Sequence, residues 1–430
     1  MRITFVNGLF PPHGAGGAEN SLRLLAAELS RRGHVCSLVT LTPGRRPWVE
    51  EVDCIQVHYL PLANVYWPFR GPRPRPLRPL FQAADAINPV MGVRVHRALR
   101  LTRPDVVNCH NLQGFSVAAW LAAARLRLPI VQTIHDYYLA CSRSTMWRPV
   151  RGNCVSLCPE CRIFAAPRRA LSWCPDAVTC VSHRVFDRLT DTGAFARALS
   201  GRQPVRIIRG NNPKVVGRGV RRPDSEALTL GFMGRLEPAK GLETLLDAVV
   251  GLPVTVLVAG HGEEEYEVAL RARVASNTKI DFLGHVCPEA FFPQVDMLVI
   301  PSVWEDPFPR VFHEALAYGV PSIVSPLGGL PEVVVPGRNA VVTSGADVPS
   351  LHAALRALVE HGWDREGMRQ ACLRDAARYA PDGIADQYEA VLSAVAMRRR
   401  VPEQGAGEVW RPRGDRRGQT QGSEVVRHGT

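Results

Sequence analysis

Lysine is scarce in this chain of 430 residues, which has 52 basic residues but only three lysines, Lys214, Lys240 and Lys279. A sequence that so strongly favours arginine still keeps an ammonium group in the segment GRLEPAKG (234–241). The choice indicates that a compact point charge is needed there rather than a planar guanidinium. Such a need is typical of a phosphate site.

The cysteine content argues against a secreted protein built on disulfides, because the eleven cysteines are odd in number and mostly dispersed. Four of them are closer together, with gaps of twelve, three and two residues, namely Cys141, Cys154, Cys158 and Cys161. This spacing is close to that of a structural zinc site. We keep two alternatives open for the insertion at residues 141–162, a zinc-bound fold and a metal-free one. An iron–sulfur cluster is a remoter alternative, and no further cofactor is expected.

The sequence lacks a signal peptide, and its longest apolar run, Val117–Ala124, is far shorter than a bilayer span needs. We therefore expect a cytoplasmic protein, with at most a peripheral contact to the inner face of a membrane. The formal net charge of +12 at pH 7 permits attraction to nucleic acid, anionic lipid or a phosphorylated acceptor. No zinc-finger or homeodomain signature accompanies this charge, so nucleic acid is not an expected partner.

A dinucleotide-binding fingerprint is also missing. The two glycine-rich segments, PPHGAGGAEN (11–20) and GHGEEE (260–265), have Glu19 and Glu265 where G-x-G-x-x-G needs its third glycine. These residues count against a nicotinamide-dependent oxidoreductase.

Short apolar runs rich in β-branched residues alternate with helical or alanine-rich segments, which favours parallel sheets. The runs of the first half are Ile3–Val6, Val35–Leu41, Ile55–Leu60, Val106–Cys109, Ile130–Ile134, Ala177–Val181 and Val205–Ile208. Those of the second half are Leu228–Phe232, Val254–Ala259, Ile280–Leu283, Met297–Ile300, Pro321–Val324 and Ala340–Val342. The predicted fold class is α/β, with two doubly wound Rossmann-like domains facing a cleft.

Periodicity is lost near Gly210–Pro223, so we predict an N-terminal domain at residues 1–212 and a C-terminal domain at residues 213–383. Residues 384–397 have the pattern of a final helix. Residues 398–430 are rich in arginine and glycine and have few apolar side chains, so they cannot bury enough surface to offset the entropy of ordering. We predict that they form a disordered basic tail.

The segment that contains Lys240 lies between a predicted strand and a predicted helix. Apolar residues in 242–249 lie on one helical face, and Gly251 ends it. Arg235 and Lys240 therefore belong to a strand-to-helix loop, where an anion can also meet the helix N-terminus. The alternative is a surface loop with two solvated charges.

A second polar cluster falls in PSVWEDPFPRVFHEALAYG (301–319). Asp306 lies on a loop, and Glu314 lies eight residues later on the helix that the loop enters. Two carboxylates so placed can accept hydrogen bonds from several hydroxyls, while loop N–H groups face a phosphate. The implied ligand is polyhydroxylated and anionic. The alternative is that Asp306 caps the helix and Glu314 is solvated.

Together, GRLEPAKG and the pattern of an acidic residue, seven positions and Glu resemble the donor half of retaining glycosyltransferases of family 4, which have the GT-B fold. The resemblance runs from Arg2 to about Tyr388. It implies that Arg235 and Lys240 bind the donor diphosphate. It further implies that Glu314 holds the nucleotide ribose, and that the last helix crosses back to the first domain.

The resemblance also implies that the acidic residue at Asp306 faces the donor sugar. The family usually has Glu there, and Glu305 lies beside Asp306, so either carboxylate can serve. Pro309 stands where a small residue or glycine is common, and proline has no N–H to offer a phosphate. Phe308 and Arg310 are further predicted donor-binding residues.

Two loops of the first half are candidates for the other side of the cleft. Gly16 and Gly17 let the backbone approach a ligand at a helix N-terminus, and in the family such a pair lines the cleft beside the donor phosphate. A simple tight turn is the alternative. His135 follows a strand, and its imidazole can donate to a sugar hydroxyl or stabilise charge near the reacting carbon, with Asp136 fixing its orientation. Family-4 enzymes commonly have such a histidine near the donor sugar, and His110 resembles part of another cleft motif.

The stretch WPFRGPRPRPLRP (67–79) alternates proline with arginine. One interpretation is an extended basic arm that recruits an acidic acceptor or a membrane surface, with Trp67 and Phe69 adding apolar contact. The other is a stiff exposed loop.

The sequence thus predicts a glycosyltransferase that moves a sugar from a UDP- or GDP-sugar to the hydroxyl of a sugar, lipid-linked or metabolite acceptor. Retention of the anomeric configuration is implied by the resemblance alone. Domain closure would exclude water from the reaction. The alternative from another class is a non-catalytic nucleotide-sugar sensor or scaffold, which Asp306 and Pro309 favour.

Overall fold

Two separate, mainly parallel sheets account for the two halves of the chain. The computed structural model describes residues 1–14, 16–69, 74–210, 228–274, 279–397 and 408–409, the last pair as backbone alone. The α/β fold class with two doubly wound, Rossmann-like halves is confirmed. The predicted boundary between residues 212 and 213 lies outside the described residues.

The strands of the described residues are β1 (Arg2–Val6), β2 (Val35–Thr42), β3 (Trp48–Val52), β4 (Ile55–Pro61), β5 (Val106–Cys109), β6 (Ile130–Ile134), β7 (Trp147–Arg148), β8 (Gly152–Asn153), β9 (Ala177–Cys180), β10 (Val205–Ile207), β11 (Leu228–Met233), β12 (Val254–Ala259), β13 (Ile280–Gly284), β14 (Met297–Ile300), β15 (Ser322–Val324), β16 (Ala340–Val342) and β17 (Glu408–Val409). Every apolar run predicted as a strand coincides with one of them. The first sheet has the order β17-β10-β9-β6-β5-β1-β2-β4-β3, and the second has the order β13-β12-β11-β14-β15-β16.

The helices are α1 (Gly17–Arg31), α2 (Arg78–Ala86), α3 (Pro89–Thr102), α4 (Ala118–Arg125), α5 (Pro159–Phe164), α6 (Ala166–Ala170), α7 (His183–Asp191), α8 (Ala196–Leu199), α9 (Leu242–Ala248), α10 (Glu264–Arg273), α11 (Pro288–Phe291), α12 (Arg310–Ala317), α13 (Val348–His361), α14 (Arg365–Ala376) and α15 (Pro381–Ala396). Single 3₁₀ turns cover Arg75–Leu77, Pro238–Lys240, Phe292–Gln294, Leu330–Glu332 and Ala377–Tyr379. None of the described helices is long and apolar enough to cross a membrane.

Helices cover both faces of the first sheet, so the side chains of its strands are buried on both sides. In β2, Cys36 and Leu38 pack with α1 and α15, whereas Val39 and Leu41 pack on the opposite face with α3 and α4. Successive strand residues point to opposite faces, so one continuous apolar strand serves two cores. The first sheet with its helices is called the first lobe below, and the second sheet with its helices is called the second lobe.

Three short strand pairs were absent from the prediction. β3 pairs antiparallel with β4, and the pair β7 and β8 forms a small hairpin in the cysteine-containing insertion. β17 pairs antiparallel with β10, so the prediction of a wholly disordered tail is wrong at Glu408–Val409. An edge strand offers unpaired N–H and C=O groups, and these can order a short segment whatever its composition. The rest of the predicted tail lies outside the described residues.

The last long helix, α15, packs on the first lobe although it follows the second in sequence. Its apolar side chains, including Ile384 and Leu392, share a core with α1 and β1. Arg32, at the end of α1, is 2.6 Å from an oxygen of Asp386 and 3.0 Å from an oxygen of Glu389. The helix therefore returns the chain to the first lobe.

The two lobes contact each other through a polar set of residues, called the interlobe network below. Glu332 of the second lobe accepts hydrogen bonds from the backbone N–H groups of His183 (2.9 Å) and Arg184 (2.6 Å) at the start of α7. It also lies 2.8 Å from the guanidinium of Arg209. Ser182 Oγ donates to the carbonyl oxygen of Pro307 at 2.9 Å. These contacts hold the carboxyl edges of the two sheets face to face.

His313 of α12 is fully buried, and among the described residues neither ring nitrogen has a hydrogen-bond partner. Its ring stacks on that of Tyr379, with centres 4.1 Å apart. Burial, with the nearby charges of Arg310 and Arg209, lowers the pKa of His313 to about 3. The ring is therefore neutral at pH 7 and acts as a flat apolar filler.

We expect the His313→Phe variant to lose less stability on acidification than the wild-type protein. The unfolded state binds a proton below pH 6.5 and the folded state does not, so the stabilisation is complete above pH 6.5 and falls as the pH drops towards 3. Between pH 6.5 and 5 this residue alone accounts for about 1.5 kcal/mol. The measurement is the thermal midpoint at both pH values, with His361→Phe, on an exposed helix end, as the control. Equal losses in the variant and the wild type would contradict this role.

Candidate active site

The polar loops of the molecule leave the carboxyl ends of strands. Those after β1, β5 and β6 belong to the first lobe, and those after β11 and β14 belong to the second. Because these strands are parallel within each sheet, their loops gather at one edge of it. Tyr137 Oη donates to the carbonyl oxygen of Glu305 at 2.9 Å, so the two edges meet. The sequence-predicted residues lie along this cleft.

Lys240 and Asp306 form an ion pair that joins two loops of the second lobe. The distance from Lys240 Nζ to Asp306 Oδ2 is 2.5 Å, and the side chains are 21% and 7% exposed. The ammonium also lies 5.5 Å from the centre of the Trp304 ring. The alternative of a solvated lysine is therefore wrong, and Asp306 holds Lys240 rather than capping α12.

The backbone also ties these two loops together. Val303 N donates to the carbonyl oxygen of Ala239 at 3.1 Å. Gly241 has a φ of 74°, and a Cβ there would lie 1.9 Å from the carbonyl oxygen of Pro301. Only glycine fits this position, so the loops can approach closely enough for the ion pair to form.

Gly328 and Gly329 are site residues that the sequence reasoning missed. A Cβ at Gly328 would lie 2.1 Å from the carbonyl oxygen of Asp306, and one at Gly329 would lie 2.1 Å from that of Pro307. Gly329 N donates to the carbonyl oxygen of Asp306 at 2.9 Å. The glycine pair thus supports the backbone that carries Asp306, and the pair itself in PLGGLPE (326–332) was the available signal.

Glu305 turns away from Lys240 and towards the first lobe. Its carboxylate pairs with Arg184 and lies 3.0 Å from Nε of Arg188. Its backbone N–H donates to Asn153 Oδ1 of the insertion at 2.9 Å. Of the two adjacent carboxylates, only Asp306 thus contacts the lysine loop, while Glu305 belongs to the interlobe network.

Arg235 is the most exposed of the predicted donor-binding residues. Its side chain is 78% exposed and lies 3.3 Å from Glu237, at the mouth of the loop. Its positive charge still acts across the cleft on Glu19 of α1, where it lowers the carboxyl pKa against the larger raising effect of burial. The solvated-loop alternative thus describes Arg235 but not Lys240.

Glu314 and Arg310 are paired on α12. Arg310 Nε lies 3.0 Å from Glu314 Oε1, and both side chains are more than four-fifths buried. Burial raises the pKa of Glu314, and the charge of Arg310 opposes that effect. Arg310 Nη1 is buried and has no hydrogen-bond partner among the described residues. This N–H group is suited to an anionic acceptor in the cleft, and the solvated-Glu314 alternative is wrong.

The glycine pair of the first lobe faces this arginine. Gly16 N donates to Glu19 Oε2 at 2.9 Å, and Gly17 begins α1. A Cβ at Gly17 would lie only 3.5 Å from Arg310 Cβ, so the positive end of α1 lies against the start of α12. Pro309 precedes that start and, as expected, supplies no N–H there.

Phe308 packs into the second lobe. Its ring centre lies 4.4 Å from that of His313 and 6.4 Å from that of Tyr379. This packing leaves only its partly exposed edge for the donor contact that was predicted.

His135 is held by a chain of hydrogen bonds from the first sheet. Its Nε2 lies 2.9 Å from His110 Nδ1, and His110 Nε2 lies 2.8 Å from Asn108 Oδ1. Asn108 Nδ2 donates to the carbonyl oxygen of Val131 at 3.1 Å, which fixes the amide orientation because a carbonyl oxygen can only accept. His110 must therefore donate from Nε2 and accept at Nδ1.

It follows that neutral His135 donates from Nε2 to His110 and has its lone pair at Nδ1. Burial lowers the pKa of His135 to about 4, so the ring is neutral at pH 7. The expectation that it donates to a sugar hydroxyl is therefore wrong for Nε2, and the ring can instead accept from a hydroxyl at Nδ1. The expectation that Asp136 orients the ring is also wrong, because Asp136 Oδ1 accepts the backbone N–H of Tyr138 at 2.8 Å.

The four clustered cysteines are neighbours in the insertion, where burial and the nearby Cys158 and Cys161 raise the pKa of Cys154. Cys141 accepts the N–H of Arg143 at 3.4 Å, and a hydrogen bond from Cys161 lowers the pKa of Cys141 to about 7. Cys158 lies 3.1 Å from Nη2 of Arg148. Among the described residues, no group of three or more His, Cys, Asp or Glu side chains is arranged to hold a metal ion. The zinc hypothesis stays a prediction.

The two aromatic residues of the basic arm pack inward, whereas its described end at Arg78 and Pro79 is exposed. The rings of Trp67 and Phe69 lie 5.1 Å apart and pack against the core of the first lobe, and Trp67 lies 5.9 Å from the ring of His13. The expectation that these two aromatic residues add apolar contact with a membrane is therefore not met. Residues 70–73 of the arm lie outside the described residues.

The two lobes thus face each other across a cleft that has Lys240, Arg310 and Glu314 of the second lobe along its edge. A family model described as Glycosyltransferase Family 4 matches residues 15–199, and one described as Glycosyl transferases group 1 matches residues 227–361. The chain belongs to this family, with a GT-B fold, and is a glycosyltransferase.

Curated relatives are similar over most of their length. The chain is 28% identical to a glycogen synthase of Mycobacterium tuberculosis, over 84% of this chain and 86% of the relative. It is 24% identical to the D-inositol 3-phosphate glycosyltransferase of Corynebacterium diphtheriae, over 89% and 91%. It is 26% identical to an uncharacterised 42.6 kDa protein in the cps region of Klebsiella pneumoniae, over 77% and 87%.

Solved structures share the fold at lower identity. The sucrose-phosphate synthase of Thermosynechococcus elongatus superposes with a TM-score of 0.71 at 18% identity, over 92% of this chain and 99% of that one. Anabaena HepE in complex with UDP and glucose superposes with a TM-score of 0.66 at 19% identity, over 91% and 99%. These similarities establish the shared GT-B architecture.

We expect the Asn108→Leu variant to lose about tenfold in kcat/KM, because His110 and His135 are no longer confined to one tautomer. The measurement pairs kinetics with histidine ¹⁵N NMR, which distinguishes a protonated from an unprotonated ring nitrogen. Thr4→Val is the control, since it removes a buried 2.9 Å hydrogen bond from the same sheet to Thr102 without touching Asn108 or the histidines. An unchanged His135 nitrogen signal in Asn108→Leu would rule out the relay.

The zinc hypothesis predicts about one zinc ion per chain in freshly purified protein, with loss of metal in Cys158→Ser. The measurement is elemental analysis by mass spectrometry. Cys54→Ser, at an exposed cysteine outside the insertion, is the matched control. Protein that folds and contains no stoichiometric zinc would end the hypothesis.

Proposed function

We propose that this glycosyltransferase transfers a sugar from a nucleoside-diphosphate sugar, UDP- or GDP-linked, to an acceptor hydroxyl with retention of the anomeric configuration. The observation that carries the proposal is the mostly buried ion pair between Lys240 and Asp306. A cation and a carboxylate in contact suit a ligand with an anionic diphosphate next to a polyhydroxylated sugar. Related solved structures, which include Anabaena HepE in complex with UDP-glucose, support the donor class.

The diphosphate lies, in this proposal, between the lobes. Lys240 supplies a point charge, Arg310 supplies a buried N–H group without a partner, and the N-terminus of α1 at Gly16 and Gly17 supplies its dipole. Arg235, at the exposed mouth, guides the anion in and contacts it from outside. Charge that builds on the departing diphosphate is thus met by fixed positive groups, which lowers the barrier to bond cleavage.

The sugar and the ribose lie on either side of the diphosphate. Glu314, fixed by Arg310, accepts from the ribose hydroxyls. Asp306 orients the donor sugar, and it is favoured over Glu305 because the arginines of the first lobe already occupy Glu305. His135 accepts a hydrogen bond from a sugar hydroxyl at Nδ1, and the ring stays neutral at pH 7 because burial lowers its pKa. The interlobe network keeps the cleft closed and excludes water that would hydrolyse the donor.

The acceptor is a glycan, a glycolipid or a glycosylated metabolite. It enters from the side of the first lobe, because the charged side chains that bind the diphosphate, Lys240, Arg235 and Arg310, belong to the second lobe. The enzyme acts in the biosynthesis of a polysaccharide or glycoconjugate.

The test uses a coupled enzymatic assay to measure nucleotide release from a panel of UDP- and GDP-sugars, with and without acceptor extracts. We expect Lys240→Ala to reduce kcat/KM by about 10²–10³-fold, because it removes a cation from the leaving group. Lys279→Ala, the same change at an exposed lysine, is the matched control. Anomeric NMR of the product tests retention.

Calorimetry separates the parts of this proposal. Wild-type protein that binds no nucleotide sugar would contradict the donor class, and fully active Lys240→Ala would contradict the role of the lysine. Protein that binds a donor tightly and never releases nucleotide with any acceptor would favour a sensor.

A further inference from the structure

The outer face of α3 carries large aliphatic side chains that the fold does not use. Val90 and Val93 are each 52% exposed, and Leu101 is 72% exposed. With Arg97 they follow the spacing i, i+3, i+7 and i+11, so they form one stripe along the helix. We call this set the α3 stripe.

The opposite face of α3 already supplies the packing that the lobe needs. Met91, Val95 and Leu99 on that face are at most 1% exposed and belong to the core beneath the sheet. A helix on the surface of a soluble protein normally has charged or polar residues on the face opposite its buried one. The α3 stripe therefore needs an explanation other than folding.

Exposed aliphatic residues extend to the preceding helix. Leu80 of α2 is 56% exposed, and Ile87, between α2 and α3, is 42% exposed. Together with the α3 stripe they place five large aliphatic side chains in water within 22 residues. Val90, Val93 and Leu101 share one helix face, and Ile87 precedes Val90 by three residues. Grouped apolar residues of this kind mark interaction surfaces more often than isolated ones do.

The charge along α2 and α3 is mainly positive. Residues 78–104 contain five arginines and a single acidic residue, Asp85, and exposed Asp105, just after α3, accepts the backbone N–H of Arg2 at 2.6 Å. Asp85 is buried and lies 2.9 Å from Arg168, so it does not offset the exposed charge. Arg97 and Arg100 extend from the exposed side of α3 itself, and within the described part of the chain no carboxylate pairs with either.

Aliphatic side chains interleaved with arginines match an anionic lipid surface. The aliphatic groups can enter the headgroup boundary while the arginines stay at the level of the phosphates. A nucleic acid does not fit as well, because it offers no site for five aliphatic side chains and the exposed side chains of this face include no aromatic residue for stacking on bases.

We propose that the α3 stripe, with Leu80 and Ile87, docks the enzyme on the surface of an anionic lipid bilayer. The orientation of α3 gives this docking a consequence for the reaction. Its first turn lies beside Ala63 and Ser116, which follow the carboxyl ends of β4 and β5, and its last turn lies beside Arg2 at the start of β1. The docked helix thus brings the cleft edge of the first lobe close to the lipid. This step rests on the proposed function and selects a lipid-linked acceptor within it.

The test is co-sedimentation of the full chain, at about 0.1 M salt, with vesicles of phosphatidylcholine alone and with vesicles that contain, by design, 30% phosphatidylglycerol in phosphatidylcholine. We expect the wild-type protein to bind the anionic vesicles and to dissociate as salt rises. Replacing Arg97 and Arg100 together by Glu should weaken binding by about thirtyfold or more, because each arginine near the surface contributes about a fivefold gain. Replacing Val90, Val93 and Leu101 together by Ser should weaken it about tenfold or more.

The matched controls lie on the second lobe, where Val250 and Val268 are 66% and 61% exposed. Val250→Ser with Val268→Ser, and separately Arg374→Glu, should leave vesicle binding unchanged. Nucleotide release from a soluble donor should be the same in the α3 variants as in the wild type, so a failure of docking is distinguishable from a failure of the proposed function.

Three outcomes would overturn the proposal. One is wild-type protein that stays in solution with anionic vesicles, and another is vesicle binding that the α3 variants do not change. The third is a wild-type dimer that the α3 variants convert to monomers in analytical ultracentrifugation, which would assign the stripe to self-association.

Discussion

The close contact between Lys240 and Asp306 sets the geometry of the second lobe's cleft edge. It requires two loops from neighbouring strands, β11 and β14, to approach until an ammonium and a carboxylate touch. Gly241 and Gly328 permit that approach because a side chain at either position would overlap a carbonyl oxygen. The polar pair thus depends on residues without side chains. A lysine in an arginine-rich protein fits the same constraint, since a planar guanidinium would need more room.

The forces that stabilise each lobe differ from those that hold the two lobes together. Each sheet is covered on both faces by aliphatic cores, whereas the lobes contact each other through hydrogen bonds and ion pairs centred on Glu305 and Glu332, with a smaller apolar contact of Ala239 and Trp304 against the core of the first lobe. Such contacts can be exchanged for water at modest net cost, while separating an apolar core cannot. The same architecture therefore combines rigid half-sites with a cleft that can open for substrate. Asn153 connects the cysteine-containing insertion to this arrangement through Glu305.

Much of the fold could be predicted because its strands are continuous apolar runs bounded by loops, and parallel topology then fixes the edge at which loops gather. Side-chain partners could not be predicted in the same way. Glu305 and Asp306 are adjacent in sequence, but alternation along the backbone sends them to different partners. Asp136 is next to His135, yet His110, from another strand, orients the ring. The exposed strand β3 and the pairing of β17 lack an apolar pattern, so the sequence carries little signal for them.

Glu332 influences how the closed arrangement of the two lobes responds to dissolved salt. Its carboxylate meets two N–H groups at the start of α7 and the guanidinium of Arg209, so a single anion from one lobe caps a helix of the other. Opening would leave that helix dipole and that anion to be solvated separately. Mobile ions weaken such attractions and leave the aliphatic cores nearly unaffected. The balance between open and closed forms should therefore shift with ionic strength, independently of the stability of either lobe.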